Sequence, residues 1–93
     1  MKMDFEEYQG ICKETAIYSD EWKVMYPALG LAGEVGEVCN KIKKIYRDDD
    51  GHMTEEQREG IAKELGDCLW YFAALASDLD VSLDVIARGN IAK

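Results

Sequence analysis

Apolar residues recur along the chain at steps of three and four, the spacing that turns one face of a helix toward a core. Phe5, Tyr8, Ile11 or Cys12 and Ala16 predict an amphipathic helix from about Asp4 to Tyr18, with Asp4 as its cap. After a polar break at Ser19-Asp20-Glu21, Pro27 suits a first helical turn, and Leu31, Val35, Val38, Ile42 and Ile45 carry a second helix to about Tyr46. Asp48 to His52 reads as a loop. Thr54 with Gln57 three residues on forms a capping box for a third helix, whose core stripe is Ile61, Leu65, Leu69 or Cys68, Phe72, Leu75 and Leu79. Ser82 caps a fourth, with Leu83, Ile86 and Ile91 inward. No strand pattern, internal repeat or low-complexity stretch interrupts this series. The predicted fold is a single all-α domain over residues 1–93, a four-helix bundle built on an antiparallel hairpin of the second and third helices.

The polar positions carry a second pattern. Glu34, Glu37, Lys41 and Lys44 follow one another at three, four and three residues, which keeps them on one face beside the apolar stripe. Glu64, Asp67 and Tyr71 repeat the arrangement on the third helix. Each helix therefore offers two carboxylates about 60° apart in azimuth and ~4.5 Å apart in rise. One E-x-x-E in an acidic chain has an ordinary explanation, since Glu37 and Lys41 at i, i+4 make a common solvated pair. A second pair at matching phase is harder to dismiss: in an antiparallel hairpin the two face each other, and four converging carboxylates repel strongly unless a cation lies among them. Oxygen-only ligands select a hard ion, Mg²⁺ or Mn²⁺, and Mg²⁺ is commonly completed by substrate phosphates.

Glycines interrupt the same two helices. Gly30, Gly33 and Gly36 on the second and Gly60 and Gly66 on the third each cost about 1 kcal/mol relative to alanine. Close approach of the helices, or room for a ligand against the backbone, would offset that.

Composition narrows the function. A formal charge of −8 argues against a partner held through nucleic-acid phosphates. Cys12, Cys39 and Cys68 are three in number, show no C-x-x-C spacing and fall at apolar positions, so they predict buried thiols in a reducing, cytoplasmic setting. The longest apolar run, Cys68 to Ala76, is far below the ~20 residues of a membrane helix, and the amino terminus has no leader pattern. A chain of 93 residues buries only roughly 60–65% of its unfolded surface. With Trp70, Phe72 and Ala73 extending the apolar surface around the third helix, a homodimer or homotetramer is expected.

The stretches Ala28-Leu-Gly-Leu-Ala-Gly-Glu-Val-Gly-Glu-Val38, Lys63-Glu-Leu-Gly-Asp-Cys-Leu-Trp-Tyr71, Ser82-Leu83 and Asn90-Ile-Ala-Lys93 closely resemble the MazG-like family of all-α nucleoside triphosphate pyrophosphohydrolases. The family's E-x-x-E and E-x-x-D correspond to Glu34/Glu37 and Glu64/Asp67, separated by the 26 residues from 38 to 63. The resemblance implies Mg²⁺-dependent hydrolysis, with Mn²⁺ as a substitute, of a nucleoside triphosphate between its α and β phosphorus atoms. The four carboxylates would be the metal ligands. Lys41 or Lys44, Asn90 and Lys93 would contact phosphate or sugar, Tyr71 the nucleotide, and Gln9 and Trp22 the base. A water polarised by the metal is the expected nucleophile, with Glu37 its proton acceptor and Glu34 its catalytic neighbour. Relatives usually continue beyond the Asn-x-x-Lys segment with a further basic residue and a longer final helix, so for a chain ending at Lys93 either a partner subunit is expected to complete the missing contacts or activity is expected to be reduced.

Other readings are weaker. His52 has no second histidine with which to hold zinc, and the absence of E-x-x-H argues against a di-iron bundle. Asp48-Asp49-Asp50-Gly51 lacks the alternation and the terminal glutamate of a calcium loop, and no P-loop is present. Trp22, Tyr26, Tyr46 and Trp70 fit core or interface aromatics better than base-stacking groups. Two alternatives remain: a dUTP-, dCTP- or phosphoribosyl-ATP-directed pyrophosphohydrolase sharing the metal face, and a non-catalytic helical oligomerisation module that binds nucleotide or metal.

Overall fold

The computed structural model describes residues 2–93, and four α-helices make up its frame. Helix α1 spans Phe5–Thr15, α2 Met25–Asp49, α3 Glu55–Asp78 and α4 Leu83–Ala92, with a single 3-10 turn at Asp20–Trp22. The expected caps form. Asp4 accepts from the Glu7 amide at 2.8 Å, and Ser82 accepts from the amides of Asp84 and Val85. At the start of α3 the capping box closes in both directions, Gln57 N–H to Thr54 Oγ1 at 3.1 Å and Thr54 N–H to Gln57 Oε1 at 2.8 Å.

Helices α2 and α3 pack antiparallel, so that Gly30 meets Tyr71, Lys41 meets Glu64, and Asp49 accepts from Gln57. Asp50 and Gly51 reverse the chain, both with positive φ. Gly51 is required twice over there, because at φ 80° a side chain would be strained and would also run into the ring of Tyr46. Helix α1 lies on α3 and α4.

Helix α1 stops three residues short of the predicted end. Thr15 Oγ1 accepts from Trp70 Nε1 at 2.8 Å and donates to the Cys12 carbonyl, Ala16 leaves helical geometry, and Tyr18 turns to hydrogen-bond Asp78. Tertiary partners thus override a local pattern that continues to Ala16 and beyond. Helix α2 conversely starts before Pro27 and runs past Tyr46.

The core is smaller than the periodicity predicts. Cys12 is buried where Ile11 is not, and Cys68 where Leu69 is not; Cys12, Ala73, Ala76 and Leu83 form the core cluster, with Tyr8 and Trp70 packed against it. Leu65 and Phe72, expected inside, remain 55% and 49% exposed, and Val35, Leu79, Ile86 and Ile91 are exposed as well. The cause is geometric: α3 is apolar over more than one face, but α1 covers only the face where small alanines permit close packing. Cys39, also expected to be buried, is exposed. Close helix approach explains one helical glycine only. The ring of Tyr71 fills the space over Gly30, whereas Gly33, Gly36, Gly60 and Gly66 face open space. Successive three-residue steps from Gly30 rotate each position about 60° further from that contact.

Candidate functional site

The hairpin positions the acidic face. Glu34 from α2 and Glu64 and Asp67 from α3 each bring a carboxylate oxygen to within 4.8 Å of the others. Antiparallel packing accounts for this, since it sets the i, i+3 pair of one helix against the corresponding turn of the other. Glu37, one turn further along α2, is exposed and stands outside this group of three.

The crowding has an electrostatic signature. The Glu34 carboxyl is raised above the ordinary glutamate range, first by removal from water, then by a hydrogen bond with Glu64, and then by the charges of Asp67, Glu64 and Glu37. Burial, with the charges of Glu34, Asp67 and Glu64, pushes the thiol of neighbouring Cys68 up. Lys41 approaches Glu64 at 3.8 Å. A half-exposed lysine offsets only part of the charge of three carboxylates, and their oxygen-only chemistry suits a hard divalent cation.

Two surfaces flank the carboxylates. Toward the hairpin turn, a cleft of about 710 Å³ between α2 and α3 is lined by Lys41, Lys44 and Lys63 together with acidic residues of both helices. Lys63 opens the stretch from Lys63 to Tyr71 that carries the family resemblance, but the sequence by itself assigns it no role of its own. In the other direction stands Tyr71, whose phenol is raised by burial, then by Tyr26, and also by the charges of Glu34 and Asp67. The Tyr26 ring lies 6.4 Å from that of Tyr71, and Trp22 stacks on Tyr26 at 6.2 Å with 10° between planes. Trp22 is therefore linked to the acidic face through two tyrosines, one of which, Tyr26, reads in the sequence as a core or interface residue. Tyr8, on α1, also feels the charge of Asp67, although burial and the Cys12 thiol are the main reasons its phenol is pushed up to about 12.

Other predicted residues lie elsewhere. Gln9 is buried, and its amide is fully engaged: Nε2 donates to Ser77 Oγ at 3.0 Å and to the Val81 carbonyl at 2.9 Å, while Oε1 accepts from the Leu83 amide at 2.8 Å. It fastens α1 to the turn between α3 and α4. Asn90 and Lys93 are exposed on and just beyond α4, outside both the carboxylate group and the lysine-lined cleft. No helix of the described residues is long and apolar enough to cross a membrane.

The sequence profile of the MazG nucleotide pyrophosphohydrolase domain matches residues 27–93. Gene 37 protein of Mycobacterium phage L5 is 42% identical over 97 residues, covering 98% of this chain and 85% of the phage protein. No solved structure is matched.

Proposed function

The chain belongs to the MazG nucleotide pyrophosphohydrolase family, and from that premise we propose that it hydrolyses ribo- or deoxynucleoside triphosphates to the monophosphate and pyrophosphate, as a cytoplasmic housecleaning enzyme of the nucleotide pool. The observation that carries this reading is the convergence of Glu34, Glu64 and Asp67 from two helices, with the Glu34 carboxyl raised by its neighbours. Such a group is poorly stable with every member ionised and well suited to a divalent cation.

Glu34, Glu64 and Asp67 would hold Mg²⁺, or Mn²⁺ in its place, with Glu37 one turn away. A divalent cation bound there supplies neutralising charge to the phosphate oxygens and acidifies water at neutral pH. The remaining work belongs to the chain's own side chains, and in phosphoryl chemistry it is mostly positioning and charge stabilisation. Lys41 and Lys44 attract the triphosphate into the cleft they line and balance the negative charge that moves onto the leaving pyrophosphate. Glu37, exposed and outside the group of three, accepts the proton of the water whose oxygen attacks the α phosphorus; the bond from that phosphorus to the bridging oxygen breaks, and pyrophosphate leaves. Tyr71 and Trp22, joined through Tyr26, offer aromatic faces to the base. Asn90 and Lys93 serve phosphate or sugar across a subunit boundary, and the exposed apolar surface of Leu65 and Phe72 supports assembly into a homodimer or homotetramer.

Pyrophosphate release from a panel of standard and modified nucleoside triphosphates with Mg²⁺ tests the activity, with Glu37→Gln and Asp67→Asn as controls. Release by the wild type and loss in both variants is expected. A folded, metal-loaded wild type that releases pyrophosphate from none of them is not a pyrophosphohydrolase, and the non-catalytic binding module then takes its place.

A further inference from the structure

The segment between α1 and α2 is held in a conformation its sequence does not favour. Val24 has φ 68° and ψ −55°, and the Lys23 carbonyl accepts from the Met25 amide at 2.7 Å across it. This is the tight γ-turn with positive φ, rare for any L residue and more so for a β-branched one. No side chain of its own caps α2 at this point. The group that holds the turn comes from the far end of α3: one oxygen of Asp78, Oδ2, accepts from the Val24 amide at 2.8 Å and from Tyr18 Oη at 2.7 Å. The Tyr18 phenol is raised by burial and by this bond. Asp78 forms no ion pair among the described residues, so its carboxylate is given over to these two donors.

Both donors sit on the segment that builds the aromatic wall. Tyr18 stacks on Tyr26 at 4.7 Å with 25° between planes, Trp22 stacks on the same ring, and Tyr26 leads to Tyr71 beside Glu34 and Asp67. Trp22 and Tyr26 are 50% and 40% exposed, so the wall is open to a ligand. Tyr26 and Tyr71 are carried by helices, but Tyr18 and Trp22 ride on the linking segment, and Asp78 holds that segment on both sides of Trp22. We propose that Asp78 is a positioning residue for nucleobase recognition: without touching substrate, it holds Tyr18 and Val24 so that Trp22 and Tyr26 present one stacked face to the base of a triphosphate whose phosphates lie at the carboxylates. The proposal rests on the nucleotide reading above.

Binding of an α,β-imido nucleoside triphosphate, with tripolyphosphate as its base-free counterpart, tests it in the full-length protein with Mg²⁺. Asp78→Ala is expected to weaken the imido nucleotide about tenfold, the scale of one lost base–aromatic stack. Tripolyphosphate binding should change less than about twofold, since the base-free probe gains nothing from aromatic stacking, and the near-ultraviolet circular dichroism of the stacked rings should decrease. Asp78→Asn keeps an oxygen acceptor and is expected to restore both nucleotide affinity and dichroism. Tyr18→Phe, which removes one of the two bonds and preserves the ring, should show a smaller loss in the same direction, and serves if Asp78→Ala does not fold. Equal weakening of both probes, or unchanged imido-nucleotide binding in Asp78→Ala and Tyr18→Phe, overturns the role of Asp78. A wild type that binds tripolyphosphate but no nucleotide overturns it too, and one that binds neither probe overturns the nucleotide reading itself.

Discussion

The ring of Tyr71 occupies the space in which a side chain on Gly30 would begin, locking α3 to α2 one turn from Glu34. Gly30→Ala must displace that ring and is expected to destabilise the protein by about 1–3 kcal/mol, the usual cost of overpacking. Gly33 and Gly36 have open space, so alanine at either is expected to stabilise the isolated chain by roughly 0.5–1 kcal/mol through helix propensity. Thermal melts of the three variants compare them directly. If Gly33→Ala or Gly36→Ala stabilises the chain yet abolishes pyrophosphate release, the open space is needed by a ligand or a second subunit.

Glu34 makes the metal-free protein sensitive to pH. Its folded-state pKa lies above the ordinary value of 4.5, so the folded chain binds this proton more tightly than the unfolded chain. The associated stability is complete below about 4.5 and is lost as pH rises through the raised value. Melting temperature measured in chelator should therefore contain a component that falls with rising pH in that window. Glu34→Gln should remove that component, and Mg²⁺ should oppose it in the wild type by favouring the ionised carboxylates.

Glu37 and Asp67 should separate by function. Asp67→Asn is expected to weaken Mn²⁺ binding at least tenfold, since it removes one of three converging charges. Glu37→Gln should keep Mn²⁺ affinity within a few-fold and lower kcat by about 10²–10⁴, the range for loss of a general base. Mn²⁺ titration by electron paramagnetic resonance, set beside pyrophosphate release, distinguishes the two. Equal loss of metal binding in both variants would assign Glu37 to the metal instead.

Gln9→Ala should act on stability and not on substrate. It removes three hydrogen bonds and leaves the buried Leu83 amide without its acceptor, for an expected loss of about 2–4 kcal/mol. KM for the nucleotide should change less than about twofold at a temperature where the variant is folded, because every polar atom of the Gln9 amide is already occupied within the protein. A raised KM with unchanged melting temperature would return Gln9 to the base pocket.

Phe72→Glu tests the assembly. The side chain is 49% exposed on an apolar face of α3, and a carboxylate there would be costly inside a subunit interface and harmless in water. Light scattering is expected to show an oligomer for the wild type and a smaller species for the variant. A monomeric wild type would leave this face without a second copy.

Helix content, capping and antiparallel pairing were legible in the chain by itself. Capping boxes and a 3.6-residue period are local, and four apolar stripes joined by short loops leave few ways to pack. The carboxylate pairs were legible for the same reason: Glu34 with Glu37 and Glu64 with Asp67 are each set by helical spacing alone, and the family pattern lies in those same residues.

What only the tertiary structure decided depends on how far each helix is rotated and on which long side chain meets which backbone. Rotation selected Cys12 over Ile11 and Cys68 over Leu69, and it brought Glu34, Glu64 and Asp67 together with Glu37 outside that group. It also set the Gln9 amide as a clasp between α1 and the α3–α4 turn. The end of α1 and the strained turn at Val24 follow from Trp70 and Asp78, 55 and 54 residues away from their partners Thr15 and Val24. A one-dimensional period carries no information about hydrogen bonds formed at such separation, and these bonds position the aromatic wall beside the carboxylates.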